Sequence, residues 1–385
     1  MAREEVVAFV RQLQEAANAH DLSRLMDFYA EDAVAVSPVF GEVKGRAAVV
    51  GTWETLFATF PDCAIDVSDV FADGDRVVFL GTVTATDRSG WFGLPATGAP
   101  VCYRVTLLCK LVGAKIVREE RLYDMAGVLE RLEKARIDKE LQTAAEVQSA
   151  LQPRTANVGP HWEAVGDSIP CRAIGGDFFE LAELPSGDLG VALGDVEGKG
   201  TPAALVAAML HGMFVADAQA GQGPATTLLR MNRQLAARHQ GSNGLATRHQ
   251  GSRFATLVYG VLSPDGRFVY SNAGHNVPAL LTRAGVLRLT TGGPILGAFT
   301  DASFEEGALR LEAQDTLLMF SDGVTEASNA RDEEFGEERL IACATEHLAR
   351  SPIDMLDRIL SAVREFCGST PQADDITATA MRFRG

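Results

Sequence analysis

The spacing of apolar residues in 1–125 changes from helical to alternating along the chain. An N-terminal helix is predicted by apolar residues at helical spacing: Val6, Val7, Val10, Leu13 and Ala17. A second short helix is expected over 22–29. Residues 64–86 predict two strands around the turn ADGD at 72–75, which is a hairpin signal. VCYRVTLLCKLV and KIVREERLY predict two more strands, so helices followed by an antiparallel sheet indicate an α+β domain.

Residues 126–152 are rich in good helix formers and carry a thin apolar stripe. The stripe has the four-three spacing of a coiled-coil seam: Ile137, Leu141, Ala144, Gln148 and Leu151. Leu129 and Leu132 fall outside this register, which indicates a stutter. Because a lone helix with so thin a stripe needs a partner, we predict a parallel homodimer through this coiled-coil linker; packing on its own domain is the alternative.

Composition limits the classes of partner. The chain has 385 residues, 46% of them hydrophobic and 22% charged, which suits two or three globular domains. The net charge of −16 opposes binding to nucleic acid and to anionic membrane surfaces. It does not oppose a phosphorylated substrate, because bound cations can reverse the local field.

Cysteine spacing and the N-terminus suggest a reducing cytoplasm. The six cysteines form no C-x-x-C pair, and MAREEVVAFV lacks the apolar core of a secretory signal. The charge-free stretch 201–216 is shorter than a membrane span, so a buried helix is expected there. AARHQGS at 236–242 recurs as ATRHQGS at 246–252, which indicates a duplication in an exposed loop; a role for His239 and His249 is the alternative.

Four acidic clusters follow strand-like runs in the last 230 residues. They are GGD ending at Asp177, GDV with Asp195, SDG with Asp322, and the pair Asp374 and Asp375. Carboxylates that converge at one sheet edge repel one another, and divalent cations resolve that repulsion. Oxygen-only ligands select Mg²⁺ or Mn²⁺, and two such ions suit attack on phosphorus. The alternative for each single Asp-Gly is an ordinary turn.

Residues 153–385 resemble the SpoIIE/RsbU-type branch of the PP2C-like (PPM) serine/threonine phosphatases. The resemblance rests on CRAIGGDFFE, GDVEGKGTPAALVAAML, FATLVYGVL, NAGHNVPALL, GGPILG, SDGVTEASN and ADDITATAMR, in the family's order. EVQSALQP also resembles the family's linker. The resemblance implies an αββα sandwich with two Mn²⁺ or Mg²⁺ ions at one edge, and a single displacement without a phosphoenzyme.

The resemblance also implies a role for each acidic residue. Asp195 would bridge both metals, the carbonyl of Val196 would bind one of them, and Asp322 and Asp374 would complete the site. Asp177 would hold water at the metals. Asp375 would support Asp374 or bind a third, weaker metal.

The chain departs from eukaryotic relatives after the bridging aspartate. Glu197, Gly198 and Lys199 follow where those enzymes have a histidine, so the general acid is open. His275 is a further candidate for a site residue; the alternative is that it shapes a strand end. Arg172 could bind phosphate; the alternative is a salt bridge on the surface.

The segment after Gly198 predicts a helix from Thr201, with Thr201 as N-cap and Pro202 at the first position. In relatives this helix is regarded as the switch that sets the metal-site geometry. Burial in a core would explain its composition equally well.

Residues 1–125 resemble the SnoaL-like members of the NTF2-like superfamily. The resemblance rests on the paired helices, GRAAVVGTWETLFATFPD, the hairpin and a last strand ending at Tyr123-Asp124. It implies an α+β cone with an apolar pocket for a small-molecule ligand. Asp124 lies near the acidic base of the family's polyketide cyclases, although capping of the next helix explains it as well.

Three functions are therefore compared. The first is a phosphatase regulated by the N-terminal domain; by resemblance, its substrate is a phosphorylated anti-sigma-factor antagonist of the STAS type. The second is a cyclase or isomerase activity of the SnoaL-like domain. The third is a non-catalytic scaffold, which four mutually repelling carboxylates argue against.

Overall fold

A computed structural model describes residues 3–91, 95–151, 155–240 and 253–385 of the protein. The chain divides into two compact units, Met1–Glu140 and Leu141–Gly385, here called unit 1 and unit 2. The division falls inside the linker helix. Most of the predicted loop duplication at 236–252 lies outside the described residues, as do the side chains of His239 and His249.

Unit 1 is a six-stranded sheet covered by helices. Its helices are α1 (Arg3–Asn18), α2 (Leu22–Phe28) and α3 (Arg46–Thr59). Its strands are β1 (Tyr29–Ser37), β2 (Gly41–Lys44), β3 (Ala64–Asp73), β4 (Arg76–Thr86), β5 (Pro100–Val112) and β6 (Lys115–Tyr123). The sheet order is β2-β1-β6-β5-β4-β3. The two N-terminal helices, the hairpin and the last two strands lie where the sequence predicted them.

The core of unit 1 follows the two apolar periodicities. Val6, Val10 and Leu13 of α1 are buried on one helical face. Val77, Phe79 and Val83 of β4 alternate inward at a spacing of two. The predicted α+β class is confirmed.

The linker helix, α4, extends over Met125–Leu151. Val128 and Leu132 are buried in the core of unit 1, which explains why Leu132 falls outside the seam register. Ile137 is 45% exposed and Leu151 57% exposed. These two seam residues are therefore exposed in this single chain, whereas Leu141 and Gln148 are partly buried.

Asp124 caps this helix. Its Oδ1 accepts a hydrogen bond from the Gly127 amide at 2.9 Å, and its carbonyl accepts one from Val128 at 3.2 Å. The capping interpretation of Asp124 thus explains its position, and its side chain is exposed.

Unit 2 contains two sheets and two helical layers. The strands are β7 (Thr155–Val158), β8 (Trp162–Ile169), β9 (Phe178–Glu183), β10 (Leu189–Val196), β11 (Ala255–Leu262), β12 (Arg267–Ala273), β13 (Ala279–Thr282), β14 (Gly285–Arg288), β15 (Gly292–Gly293), β16 (Gly307–Arg310), β17 (Thr316–Phe320) and β18 (Ile376–Phe383). One sheet has the order β15-β12-β11-β10-β9, with β16 also paired to β12, and the other has the order β14-β13-β17-β18-β8-β7. The helices are α5 (Thr201–Gln219), α6 (Pro224–Gln240), α7 (Asp322–Thr325), α8 (Gly336–Glu346) and α9 (Pro352–Cys367).

Three apolar layers separate these elements. A core that includes Phe179, Leu193 and Met381 lies between the two sheets. A second core joins α5 and α6 to the first sheet, and a third joins α8 and α9 to the second sheet. This arrangement is the αββα sandwich that the resemblance implied.

Helix α5 differs from its prediction at its start. The N-cap residue is Gly200, with φ of 72°, rather than Thr201, and it makes no side-chain capping hydrogen bond. Gly198, at φ of 94°, is also left-handed, so the backbone turns before Thr201 and that residue enters the first helical turn. Length and composition would allow α5 to cross a membrane, but Leu210 and Phe214 pack in a core, as expected for a buried helix.

Candidate metal centre

The predicted acidic residues lie at one edge of the two sheets. Asp195 is near the end of β10 and Asp322 follows β17, as the sequence indicated. The expectation that all four clusters end a strand was wrong, because Asp177 precedes β9 and Asp374 precedes β18. Since β9 pairs antiparallel with β10, and β18 with β17, the start of one strand meets the end of its neighbour.

Burial and mutual repulsion raise the pKa of three of these carboxyls. Asp177 is 4% exposed; burial and then the charge of Asp195 raise its pKa well above the ordinary range. Burial and the charge of Asp322 raise the pKa of Asp195 to about 6. The pKa of Asp322 is raised by burial and then by Asp374. Each carboxyl therefore has an acidic neighbour, and the group forms one electrostatic cluster.

The residues present fit a hard divalent cation. Oδ2 of Asp177 is buried and has no hydrogen-bond partner among the described residues. A Cβ at Gly176 would lie 2.9 Å from the carbonyl oxygen of Val196, so only glycine leaves space around that oxygen. An unpaired carboxylate oxygen, neighbouring carboxylates and a backbone carbonyl are the donor set that Mn²⁺ or Mg²⁺ prefers.

Asp375 is occupied in holding a loop. Its Oδ1 accepts a hydrogen bond from the Cys171 amide at 2.8 Å, and its Oδ2 accepts one from the Gly176 amide at 2.6 Å. Its own amide donates to Oδ1 of Asp374 at 2.9 Å. These contacts favour the supporting role among the two that the sequence left open, because both carboxylate oxygens already bind the 171–176 loop.

Lys199 is a site residue whose contact the sequence did not indicate. Its Nζ lies 2.7 Å from Oδ2 of Asp374 and also donates to the carbonyl of Ala373. The hydrogen bond to Asp374 raises the pKa of Lys199. An internal cation therefore neutralises one predicted metal ligand. In the sequence, the glycines on either side of Lys199 were the only local feature that set this lysine apart.

Gln148 of the linker helix contacts the same loop. Its side-chain amide donates to the Gly175 carbonyl at 2.8 Å and accepts from the Gly175 amide at 3.0 Å. The seam spacing had assigned Gln148 to a coiled coil. In the structure, Gln148 is hydrogen-bonded to the backbone of Gly175, two residues before Asp177.

The two further candidates differ in their surroundings. Arg172 is exposed, and a Cβ at Gly200 would lie 3.4 Å from its Nη1, so the guanidinium lies beside the start of α5. No salt bridge of Arg172 occurs among the residues that the structure describes. His275 is buried, with Nδ1 2.7 Å from the Thr256 hydroxyl, and burial lowers its pKa to about 4. Its described contacts do not include the acidic cluster.

Unit 1 has a buried polar network that the sequence did not predict. Glu119 is 0% exposed; it accepts hydrogen bonds from the Tyr29 hydroxyl and from Nε of Arg121. Nη1 of Arg121 donates to Thr52 at 2.7 Å, and its guanidinium lies 4.7 Å from the centre of the Trp53 ring. In the sequence, the period-two alternation along β6 was the only sign that Glu119 and Arg121 lie on the same, buried face of the strand. The charge of Glu119 is thus neutralised by the neighbouring Arg121.

Sequence comparison assigns both units to families. The profile described as Stage II sporulation protein E (SpoIIE) matches residues 185–384, and a SnoaL-like domain profile matches residues 10–119. The chain is 26% identical to Protein IcfG of Synechocystis sp. over 264 residues, which cover 63% of this chain and 41% of IcfG. It is 26% identical to the phosphoserine phosphatase RsbU of Bacillus subtilis over 251 residues, which cover 64% of this chain and 70% of RsbU.

A solved structure supports the fold of unit 2. The SiaA-PP2C domain of Pseudomonas aeruginosa superposes with a TM-score of 0.56 at 19% identity, covering 65% of this chain and 98% of that domain. The likeness at this identity concerns the fold. Since the SpoIIE profile covers more than half of the sequence and the αββα sandwich agrees with it, the chain belongs to the SpoIIE family of PP2C-like phosphatases and carries an N-terminal SnoaL-like domain.

Proposed function

We propose that unit 2 is a metal-dependent phosphatase acting on phosphoserine or phosphothreonine of a regulatory protein. The observation that carries the proposal is the buried Asp177 carboxylate, whose Oδ2 is unpaired beside the acidic cluster. A cluster that raises the pKa of its own members is costly to fold unless cations bind it. Family membership and the name of RsbU support the phosphoserine chemistry.

Each residue has a proposed part in that activity. Asp195, Asp322, Asp374 and the carbonyl of Val196 would hold the ions, and Asp177 would hold water at the ions. Two bound Mn²⁺ or Mg²⁺ ions would lower the pKa of that water and neutralise phosphate charge. Arg172, exposed beside Gly200, would bind phosphate oxygens, for which its planar guanidinium is suited.

Turnover of p-nitrophenyl phosphate by the full chain tests this proposal. We expect release of phosphate with Mn²⁺, none with EDTA, and a loss of at least about 100-fold in Asp322→Asn, because one metal ligand loses its charge. Circular dichroism would show that the variant is folded. A folded, Mn²⁺-loaded wild-type chain without turnover would favour the scaffold alternative.

The substrate proposed from the family resemblance is a phosphorylated anti-sigma-factor antagonist of the STAS type. A panel of such phosphoproteins, with phosphorylated proteins of other folds as controls, tests it. Turnover confined to the STAS type supports the proposal. Equal turnover of all of them would contradict it.

The linker seam supports a parallel homodimer. Ile137, Val147 and Leu151 are exposed apolar residues on one helix, and a second copy of α4 would cover them. Light scattering at micromolar concentration is expected to give twice the chain mass. A monomer there would refute the dimer.

Unit 1 is proposed to bind a small molecule and so regulate unit 2. The support is the SnoaL-like profile and Nη2 of Arg121, a buried donor without a partner among the described atoms. The cyclase alternative has no such support, because Asp124 caps a helix and Glu119 is paired with Arg121. A thermal-shift screen of small carboxylates and ketones tests this: stabilisation by one of them in wild type but not in Arg121→Met supports binding.

A further inference from the structure

Unit 2 has a cavity of about 410 Å³ beside the metal centre. Lys199 and Asp374 belong both to the walls of this cavity and to the centre, and Gly323, the neighbour of Asp322 in the chain, is a further wall residue. Its volume lies in the range of about 300–1,000 Å³ that small-molecule and side-chain sites have. We call it the side pocket.

The side pocket has an apolar floor. Helix α9 presents one face to it, at the spacing of one helical stripe: Leu360, Val363, Arg364 and Cys367. Ile169 and Ile376 add apolar surface from β8 and β18. The apolar side chains among these belong to the core under α9 or pack against it, so the floor is rigid rather than a loop surface.

The rim of the side pocket carries charges of both signs. Glu326, Glu334 and Asp374 contribute negative charge, and Lys199 and Arg364 contribute positive charge. Such a rim does not favour one sign of charge in an incoming group. Selection in the pocket should therefore depend on size and apolar surface.

We propose that the side pocket binds an apolar side chain next to the phosphoserine of the substrate protein. The proposal rests on the phosphatase function proposed above. A phosphate held by cations that Asp374 helps to bind would lie beside the pocket, because Asp374 is also one of its wall residues. One extended residue spans about 3.3–3.6 Å, so the residues next to the phosphoserine would reach the pocket. The pocket is continuous with the centre, so this segment is the occupant that its position favours.

Phosphopeptides that differ at one position test the proposal on the full chain with Mn²⁺. The series places Ala, Leu, Phe, Asp or Lys directly before or directly after phosphoserine, and N-acetyl-O-phosphoserine amide serves as the substrate without flanking residues. We expect kcat/KM to be about tenfold higher for Leu or Phe than for Ala on one side, since an apolar pocket discriminates by at least that factor. Asp and Lys should not exceed Ala.

Two variants on the same helix separate the pocket from general damage. Cys367→Phe fills the side pocket, whereas Ser361→Phe adds the same group on the other side of α9. We expect Cys367→Phe to abolish the preference for Leu and Phe while turnover of the phosphoserine amide stays within about twofold, and Ser361→Phe to keep the preference.

The outcomes distinguish this proposal from the function on which it rests. Wild type that hydrolyses the amide but shows equal kcat/KM for all peptides overturns the side pocket alone, whatever the variants do. A preference that survives in folded Cys367→Phe overturns it as well. Absence of turnover of the amide by Mn²⁺-loaded wild type overturns the phosphatase function and the pocket together.

Discussion

Replacing Asp195 by asparagine should stabilise the metal-free protein and destabilise the metal-loaded one. The folded-state pKa of Asp195 is about 6 against an ordinary 3.8, because the carboxyl is buried and faces Asp322. At 1.36 kcal/mol per pKa unit, the ionised carboxylate costs up to about 3 kcal/mol in the folded state at pH 7. The neutral amide of the Asp195→Asn variant would not carry that cost.

The pH dependence has a definite sign. A raised folded-state pKa means that the folded chain binds this proton more tightly than the unfolded chain does. The contribution to stability is therefore full below about pH 4 and is lost as the pH rises through about 6. In EDTA, wild-type unit 2 should lose stability over this interval, and Asp195→Asn should lose less.

Calorimetry in EDTA and in Mn²⁺ measures both effects. In EDTA at pH 7 the unit 2 transition of Asp195→Asn should lie about 6–12 °C above that of wild type, given about 2–4 °C per kcal/mol for a unit of this size. With Mn²⁺ at a hundred times its Kd, wild type should gain about 2.7 kcal/mol and the variant much less. Asp301→Asn, at an exposed position, is the control.

Two results would refute this reasoning. One is an Asp195→Asn transition in EDTA that is no higher than that of wild type. The other is a loss of stability between about pH 4 and pH 6 that is equally large in wild type and in Asp195→Asn. Either would mean that the carboxylates do not repel one another in the folded chain.

The remaining predictions concern three contacts. Lys199→Gln should tighten Mn²⁺ binding by up to about fivefold in calorimetric titration, because a partly exposed ion pair worth about 0.2–1 kcal/mol no longer competes for Asp374. Lys199→Arg, which keeps the charge, should not tighten binding. Weaker Mn²⁺ binding by Lys199→Gln would contradict this prediction. Gln148→Ala should lower the stability of unit 2 by about 1–3 kcal/mol through two lost hydrogen bonds to Gly175, whereas the exposed Gln142→Ala should change little. Glu119→Ala should lower the stability of unit 1 by about 3–5 kcal/mol, because Arg121 is left buried without its counter-charge; an effect no larger than that of Glu120→Ala in thermal unfolding would refute this.

Local patterns were sufficient for most elements and for the chemistry of the acidic residues. Helix α1 and the β3–β4 hairpin follow from periodicity and a turn signal, because burial of one face fixes which residues must be apolar. Oxygen ligands without His or Cys partners predicted hard divalent cations for Asp177, Asp195, Asp322 and Asp374. The carboxylates do lie together, but the Cys171 sulfur also lies within 4.8 Å of carboxylate oxygens of Asp374 and Asp375, which the sequence did not indicate.

The strand ends were predicted less well, because a sequence does not show on which side of a carboxylate the strand lies. Asp177 and Asp374 precede their strands. Antiparallel pairing still brings both residues to the sheet edge at which β10 ends, near Asp195. The N-cap of α5 was misplaced for a related reason. Gly200 takes a left-handed conformation there, and composition alone gave Thr201 the better capping side chain.

The sequence by itself determined which residues carry charge and which faces are apolar, and it predicted which ions the acidic residues would prefer. Only the tertiary structure decided what each charged group faces: Lys199 against Asp374, Asp375 against the 171–176 loop, and Glu119 against Arg121. The physical reason is that the periodicity of apolar residues follows from the repeat of a single helix or strand, which involves only neighbouring residues. Ion pairs, orphaned oxygens and cavities depend instead on segments distant in sequence that packing brings together.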